Sequence, residues 1–219
     1  MVDSLLGCNG RLTKGVTSLQ NNGVYGHLSW ACDDTATDGS VTRTIMVWHI
    51  ATTLCEQLDP LAKEYDTVAS TISRYCLHLL VFTPNLLPDH SSVSDSILDQ
   101  SIDEASMFLK GKGTKKMLDR CKLLMEITAH NGGGGEARLV AQGARLARHL
   151  IEDIKEPARR WKVLADFWAE MMLYVSPSND ARAHLGAVAR GGEFITHLWS
   201  LLTHAGMLKQ GPTWAEDIV

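Results

Sequence analysis

Two histidines and a glutamate in the last predicted helix are the residues best suited to chemistry. His197 and His204 lie seven residues apart, and Glu193 lies one turn before His197, so the three share roughly one face. Zinc accepts two imidazoles and a carboxylate, but helical zinc sites use tighter spacing such as H-E-x-x-H, which the sequence lacks. We therefore interpret these histidines as structural and expect no metal and no cofactor. The alternative is a hydrolase-like enzyme in which these side chains, or His49, converge in a helical pocket.

Two other segments resemble known ligand loops only in composition. The acidic turn at residues 33–39 is not an EF-hand, because an alanine takes the third ligand position and Ile45 takes the twelfth. The glycine- and lysine-rich segment 111–116 is not a phosphate loop, because Ser106 stands where glycine is required. The sequence also contains no G-x-S-x-G motif and no nucleophile with an adjacent base. We predict no catalytic residues.

A cluster of basic residues is the main candidate for binding. Six cations fall within 13 residues and only Asp119 opposes them. They are Lys110, Lys112, Lys115, Lys116, Arg120 and Lys122. Such a cluster is typical of a solvated surface, and it also suits an acidic protein partner or anionic lipid headgroups. We assign partner binding to Lys112, Lys115, Lys116 and Arg120. A peripheral membrane binder acting through residues 110–122 remains an alternative.

Composition and charge favour an ordinary globular protein. The chain has 219 residues, 45% of them hydrophobic, and a net charge of −4, which is not typical of a duplex-DNA binder. No aromatic residue is interleaved with the basic cluster, so we expect no nucleic-acid partner. The five cysteines are far apart and predict reduced, buried thiols in an intracellular protein. We expect a cytoplasmic location, with organellar import through a weak N-terminal signal as the alternative, and no transmembrane segment.

The arrangement of helix signals predicts an all-α, compact bundle of seven or eight helices. Residues 1–40 are predicted to be largely irregular, with a short strand or helix near Tyr25. Proline, glycine and capping signals then divide the chain into helical segments. These segments are 41–58, 61–82, 91–109, 114–129, 140–154, 157–175, 178–190 and 193–207. We predict a helical layer at 41–130, a mobile glycine hinge at 131–135, a C-terminal helical domain at 136–208 and a tail at 209–219, with 41–208 sharing one core.

Strict apolar stripes predict how the C-terminal helices pack. Apolar residues recur at helical spacing through 140–154 and again through 161–175. Because only two residues and Pro157 separate these segments, we predict that they form neighbouring antiparallel helices. The last helix, residues 193–207, is apolar on nearly every side, and we predict that it is central and that both stripes face it.

Several long motifs resemble those of a plant protein family. The strongest is R-W-K-V-L-A-D-F-W-A-E at residues 160–170, followed by A-R-A-H at 181–184 and G-G-E-F-I-T-H-L-W at 191–199. Residues 47–55 and 75–88 resemble the region that precedes it. The chain is similar to the plant domain-of-unknown-function family number 594, the C-terminal helical region of plant membrane proteins. This resemblance implies no established activity and no catalytic residues, and it implies a soluble form here, since no segment before residue 41 is apolar enough to span a bilayer.

Taken together, these features of the sequence predict a non-enzymatic, soluble helical module for protein–protein interaction. Such a module could compete for, sequester or redirect a protein partner. Whether the chain also forms a homo-oligomer stays open at this point.

Overall fold

The computed structural model describes residues 12–32, 39–59, 67–113, 116–126, 138–177 and 180–206. Within these ranges the chain forms ten α-helices, two short 3-10 turns and no β-strand, which confirms the all-α class. The helices are α1 (Val16–Asn21), α2 (Tyr25–Leu28), α3 (Val41–Leu58), α4 (Thr67–Phe82), α5 (Ser91–Leu109), α6 (Met117–Glu126), α7 (Leu139–Asp153), α8 (Pro157–Val175), α9 (Ala181–Ala189) and α10 (Phe194–His204). Among these helices, none has both the length and the apolarity that crossing a bilayer requires.

Local signals place several helix ends where the sequence predicts them. Pro157 lies in the first turn of α8, where its missing N–H costs no hydrogen bond. The same helix ends at Val175, directly before Ser176 and a proline. Helix α3 ends at Leu58, directly before the Asp59 that the sequence marks as a boundary.

A long-range carboxylate caps the start of α3. Asp89 accepts hydrogen bonds from the Thr42 N–H (2.8 Å) and from the Ser40 hydroxyl (2.7 Å). Burial raises the pKa of this carboxyl, but the hydrogen bonds outweigh it and hold the pKa below its usual range. The cap therefore fastens the segment before α5 to the start of the central helix.

Helix α3 lies at the centre of the described fold, and its closest partner is α7. The helices approach at Gly143, where a Cβ atom would lie 2.6 Å from the Ile50 side chain and 3.1 Å from the Val47 carbonyl oxygen. A glycine in mid-helix normally costs about 1 kcal/mol relative to alanine. Here it allows the backbone contact that any larger residue would prevent.

Helix α3 also contacts α8, through aromatic and polar side chains. Trp48 stacks on Phe167 with ring centroids 3.5 Å apart. The Trp168 indole N–H donates to Thr52 Oγ1 at 3.0 Å. A buried ion pair joins Arg160 to the Asp59 carboxylate near the end of α3. Phe167 and Trp168 thus each have a specific partner on α3, and Arg160 has one directly after its end.

The last helix is not central, and this corrects the sequence prediction. Ile195, Leu198 and Leu202 of α10 are buried, but Phe194 is 50% exposed and Leu201 is 62% exposed. A helix that is apolar all round is fully buried only when other elements surround it. The described neighbours cover only one side of α10.

The predicted pairing of α7 with α8 is also wrong. The closest backbone approaches of α7 are to α3, and those of α8 are to α4 and α1. The apolar stripes of α7 and α8 therefore pack mainly on α3, α4 and α1, and not on α10 as the sequence predicts. The stacked rings of Trp48 and Phe167 lie between α3 and α8, whereas Gly143 lets the backbones of α3 and α7 come close together.

The N-terminal segment 12–32 forms an arm that packs on α8. Helix α2 lies near Tyr25, where the sequence predicts a short strand or helix, while α1 lies where the sequence predicts neither. The buried Glu170 carboxylate accepts hydrogen bonds from the N–H groups of Thr17 (3.2 Å) and Ser18 (2.6 Å). Gly15, at φ 90°, lies so close to Phe167 that a Cβ atom would be 2.3 Å from its ring.

Some sequence predictions fall outside the described residues. They are the acidic turn at 33–38, Lys115, the glycine hinge at 131–135 and the tail at 209–219. The division into a helical layer and a C-terminal domain stays a prediction. Buried residues between Leu19 and Leu198 belong to one hydrophobic cluster.

Candidate protein-interaction surfaces

Three of the four predicted partner-binding residues are described by the structure, and they lie between the end of α5 and the first turn of α6. Lys112, Lys116 and Arg120 are exposed, and so are Lys110 and Lys122. The Lys112 ammonium lies 3.9 Å from the centroid of the Phe108 ring, within range of a cation–π interaction. The Lys112 ammonium and the Phe108 ring therefore belong to one surface.

Exposed apolar side chains accompany these cations. Met107 is 74% exposed near the end of α5, and Met117 and Leu118 are exposed at the start of α6. Sequence analysis identified the cations but not this apolar component. We call the surface formed by Met107, Phe108, Lys112, Lys116, Met117, Leu118 and Arg120 the basic–apolar surface.

A cavity of about 360 Å³ adjoins this surface. Its lining residues are Gln100, Asp103, Glu104, Met107, Phe108 and Arg138. The two Glu104 oxygens accept hydrogen bonds from the N–H groups of Val140 (3.0 Å) and Ala141 (3.2 Å). Because both oxygens are engaged by the start of α7, Glu104 serves as a helix cap. The cavity can accept an apolar side chain beside the Met107 thioether.

The histidines of the enzyme alternative do not converge on Glu193. His197 Nδ1 lies 3.0 Å from the carbonyl oxygen of Glu193, and His204 Nδ1 lies 2.7 Å from that of Ser200, so each imidazole binds its own helix. His49 instead contacts the Ser73 hydroxyl at 2.9 Å, and burial lowers its pKa to about 4. In the part of the chain that the structure describes, no three His, Cys, Asp or Glu side chains are grouped as a metal site.

The Glu193 carboxylate instead holds an aromatic side chain of α4. The Tyr75 hydroxyl donates to Glu193 Oε2 (3.2 Å) and accepts from the Ile195 N–H (3.0 Å). Burial raises the pKa of Tyr75 to about 12, and the nearby Glu193 charge acts in the same direction. Tyr75 is thus a fixed protonated donor that joins α4 to the start of α10.

Four rings continue from this point as a contiguous row on the surface. Ring centroids are 6.0 Å apart for Phe194 and Tyr75, 6.3 Å for Tyr75 and His78, and 4.8 Å for His78 and Phe82. Phe82 is 70% exposed. We call these four residues the aromatic row. Tyr75, His78 and Phe82 are spaced by three and four residues, which places them on one face of a helix and is visible in the sequence. Because α4 is apolar on most sides, the sequence does not show that this face is the exposed one.

Comparison with known proteins identifies one part of the chain. Residues 153–207 match the family described as Protein of unknown function, DUF594. This finding confirms the predicted resemblance for the segment that contains α8, α9 and α10. The resemblance of residues 47–55 and 75–88 lies outside the match and stays a prediction. No curated protein and no solved structure matches the chain.

The main motif of the DUF594 segment has structural roles in this fold. Arg160 pairs with Asp59, Phe167 stacks on Trp48, and the Trp168 N–H binds α3. In the second motif, the buried His184 ring stacks on Trp199 at 4.7 Å and joins α9 to α10. These side chains hold the helices together. The residues of the basic–apolar surface lie outside this segment, between positions 107 and 120.

Proposed function

We propose that this chain is a non-enzymatic helical module that binds an acidic, amphipathic segment of a protein partner through its basic–apolar surface. The observation that carries the proposal is the Lys112 ammonium over the Phe108 ring, next to the exposed Met107 side chain. Binding of this kind would let the module compete for, sequester or redirect its partner.

The side chains of the basic–apolar surface indicate which kind of partner it would bind. Exposed Lys112, Lys116 and Arg120 attract carboxylates and steer a negatively charged segment toward the surface. Met107 and the adjoining cavity accept apolar side chains, and methionine adapts to irregular shapes. A helix with acidic residues on its flanks and leucine or phenylalanine at i, i+3, i+4 and i+7 meets both requirements.

We place this function in the cytoplasm. Cys32, Cys55, Cys76 and Cys121 are buried thiols in the described part of the chain. Burial raises the pKa of Cys55 to about 12, so this thiol stays protonated and unreactive. Protonated buried thiols are typical of proteins in reducing compartments, which supports the proposed location.

A pair of designed peptides tests the proposal. The probe is an amphipathic helix with leucine at the four anchor positions and glutamate elsewhere, and its control has lysine in place of glutamate. We expect the glutamate peptide to bind and the lysine peptide not to bind, by fluorescence anisotropy. Lys112→Glu and Met107→Ser should each weaken binding at least about threefold, and added salt should weaken it further.

Phe82→Ser is the matched control, because Phe82 is exposed but lies on the aromatic row. It should leave peptide affinity unchanged. Equal binding of both peptides, or full binding by Lys112→Glu, would contradict the proposal. Sedimentation with anionic vesicles, when the glutamate peptide does not bind, would favour the peripheral membrane alternative instead.

A further inference from the structure

The aromatic row contacts one charged group. The Tyr75 hydroxyl donates to Glu193 Oε2 at 3.2 Å, and His78 Nε2 lies 4.0 Å from Glu193 Oε1. Phe82 packs on His78 and Phe194 packs on Tyr75, so exposed phenyl rings border this carboxylate. A group that matches such a face has an apolar body and an N–H donor. Among amino-acid side chains, the indole of tryptophan combines the two.

The exposed ring area fits one side chain better than a partner protein. An aromatic side chain has a surface of about 200 Å², so Phe82 and Phe194 together expose roughly 240 Å² at 70% and 50% exposure. A standard interface covers about 800 Å² per partner, which is far more than the row offers. A single tryptophan buries up to about 250 Å². The row therefore has the size of a site for one indole.

A tryptophan of this chain lies within reach of the row. The structure describes the chain as far as Gly206, and the sequence continues with residues 207–219, the C-terminal segment, which includes Trp214. Phe194 lies about 15 Å from His204 along α10, so Gly206 is at most about 22 Å from Phe194. The chain from Gly206 to Trp214 spans at most about 28 Å. It is therefore long enough to bring Trp214 back to the row.

The side of α10 between these two points is also apolar and exposed. Leu201 follows Phe194 by seven residues, which places both on one side of the helix, and it is 62% exposed. Gly206 has a φ of 75°, the left-handed conformation that commonly ends a helix. Met207 and Leu208 follow it directly in the sequence. The C-terminal segment thus supplies apolar side chains for Leu201 as well as an indole for the row.

We propose that the C-terminal segment folds back along α10 and packs the Trp214 indole on the aromatic row, with the indole N–H donating to the Glu193 carboxylate. Glu216 and Asp217 stay in solvent, because like charges repel and Glu193 already holds this site. The basic–apolar surface is not part of this contact, so the proposal does not depend on the function proposed above. Another molecule reaches the row only when the segment is displaced.

Fluorine NMR of the full chain, labelled with 5-fluorotryptophan, tests this contact. The chain has six tryptophans, and the Trp214 resonance is the one that Trp214→Phe removes. We expect it to differ from the resonance of a free peptide of residues 207–219 by more than its line width. The double variant Phe82→Ser, Phe194→Ser should return it to the free-peptide position. Met107→Ser, which changes an exposed apolar residue outside the row, should leave it unmoved.

Trypsin cleavage after Lys209 gives a second measurement, because docking of the segment protects this peptide bond. The rate of cleavage tracks the fraction of molecules in which the segment is released. We expect this rate, followed by mass spectrometry, to rise at least about tenfold in the double variant. Cleavage after the exposed Lys112 in the same digest is the internal standard and should keep its rate.

Several results would overturn the proposal. A Trp214 resonance at the free-peptide position in the unaltered chain would do so, and so would a shifted resonance that the double variant leaves in place. A return to the free-peptide position in Lys112→Glu would assign the segment to the basic–apolar surface instead. A shift that appears only at high protein concentration would place the segment on a second copy. The positions of the other five resonances check that the double variant is folded.

Discussion

Helices α8 and α10 belong to the same matched segment and are both rich in large apolar residues, yet they bury them to different extents. Phe167, Trp168 and Met171 of α8 are fully buried, whereas Phe194 and Leu201 of α10 are half exposed or more. The difference comes from their neighbours, since α8 is covered by the arm, α3 and α4. Apolar composition predicts what a helix is able to bury. The number of surrounding elements decides what it does bury.

The largest effect should come from truncating the centre of α8. Trp168→Ala removes a fully buried ring and its hydrogen bond to Thr52, so we expect a loss of about 3–5 kcal/mol in the free energy of unfolding. Urea denaturation measures this loss. Leu201→Ala on α10 is the matched control and should cost less than about 1 kcal/mol. Equal losses in the free energy of unfolding for the two variants would contradict the difference in burial between α8 and α10.

Acid provides a second test of the buried interior. The pKa of His49 is about 4 in the folded chain and 6.5 in an unfolded one, so between these values the unfolded state binds more protons. The free energy of unfolding should therefore fall by about 3 kcal/mol as the pH drops from 6.5 to 4. His49→Asn should flatten this part of the pH profile, as measured by urea denaturation at each pH. An unchanged slope would show that His49 is hydrated in solution.

The smallest effect should come from the exposed side of α10. Phe194→Ser changes a half-exposed ring, and in dilute solution it should alter the free energy of unfolding by less than about 1 kcal/mol. Urea denaturation measures this change, and a loss as large as that of Trp168→Ala would place Phe194 in the core.

These contrasts also explain which features could be predicted from the sequence. Helix ends at Pro157 and Val175 depend on adjacent residues, and the sequence shows them directly. The Asp89 cap on α3 joins residues 47 positions apart, and no local pattern marks it. The exposure of α10 could not be predicted either, because the hydrophobic periodicity of a helix does not indicate how many other elements surround it.

The candidate surfaces were predictable to a lesser degree. The basic cluster is visible because charge is a property of the residues themselves, and Lys112 and Arg120 are exposed as expected. The aromatic row depends on Phe194 of α10 meeting Tyr75 of α4, which are 119 positions apart in the chain. Only the folded structure brings these rings together.

The docking of the arm imposes an order on folding during synthesis. The Ser18 N–H binds a carboxylate on Glu170, which lies 152 residues further along the chain. At roughly 5–20 residues per second, the ribosome needs about 8–30 seconds to make the intervening segment. Throughout this interval the Ser18 N–H lacks its Glu170 acceptor, and Trp48 has no Phe167 to stack on. The contacts that fasten the arm and Trp48 to α8 can therefore form only after α8 has been synthesised, so the two ends of the described fold are joined last.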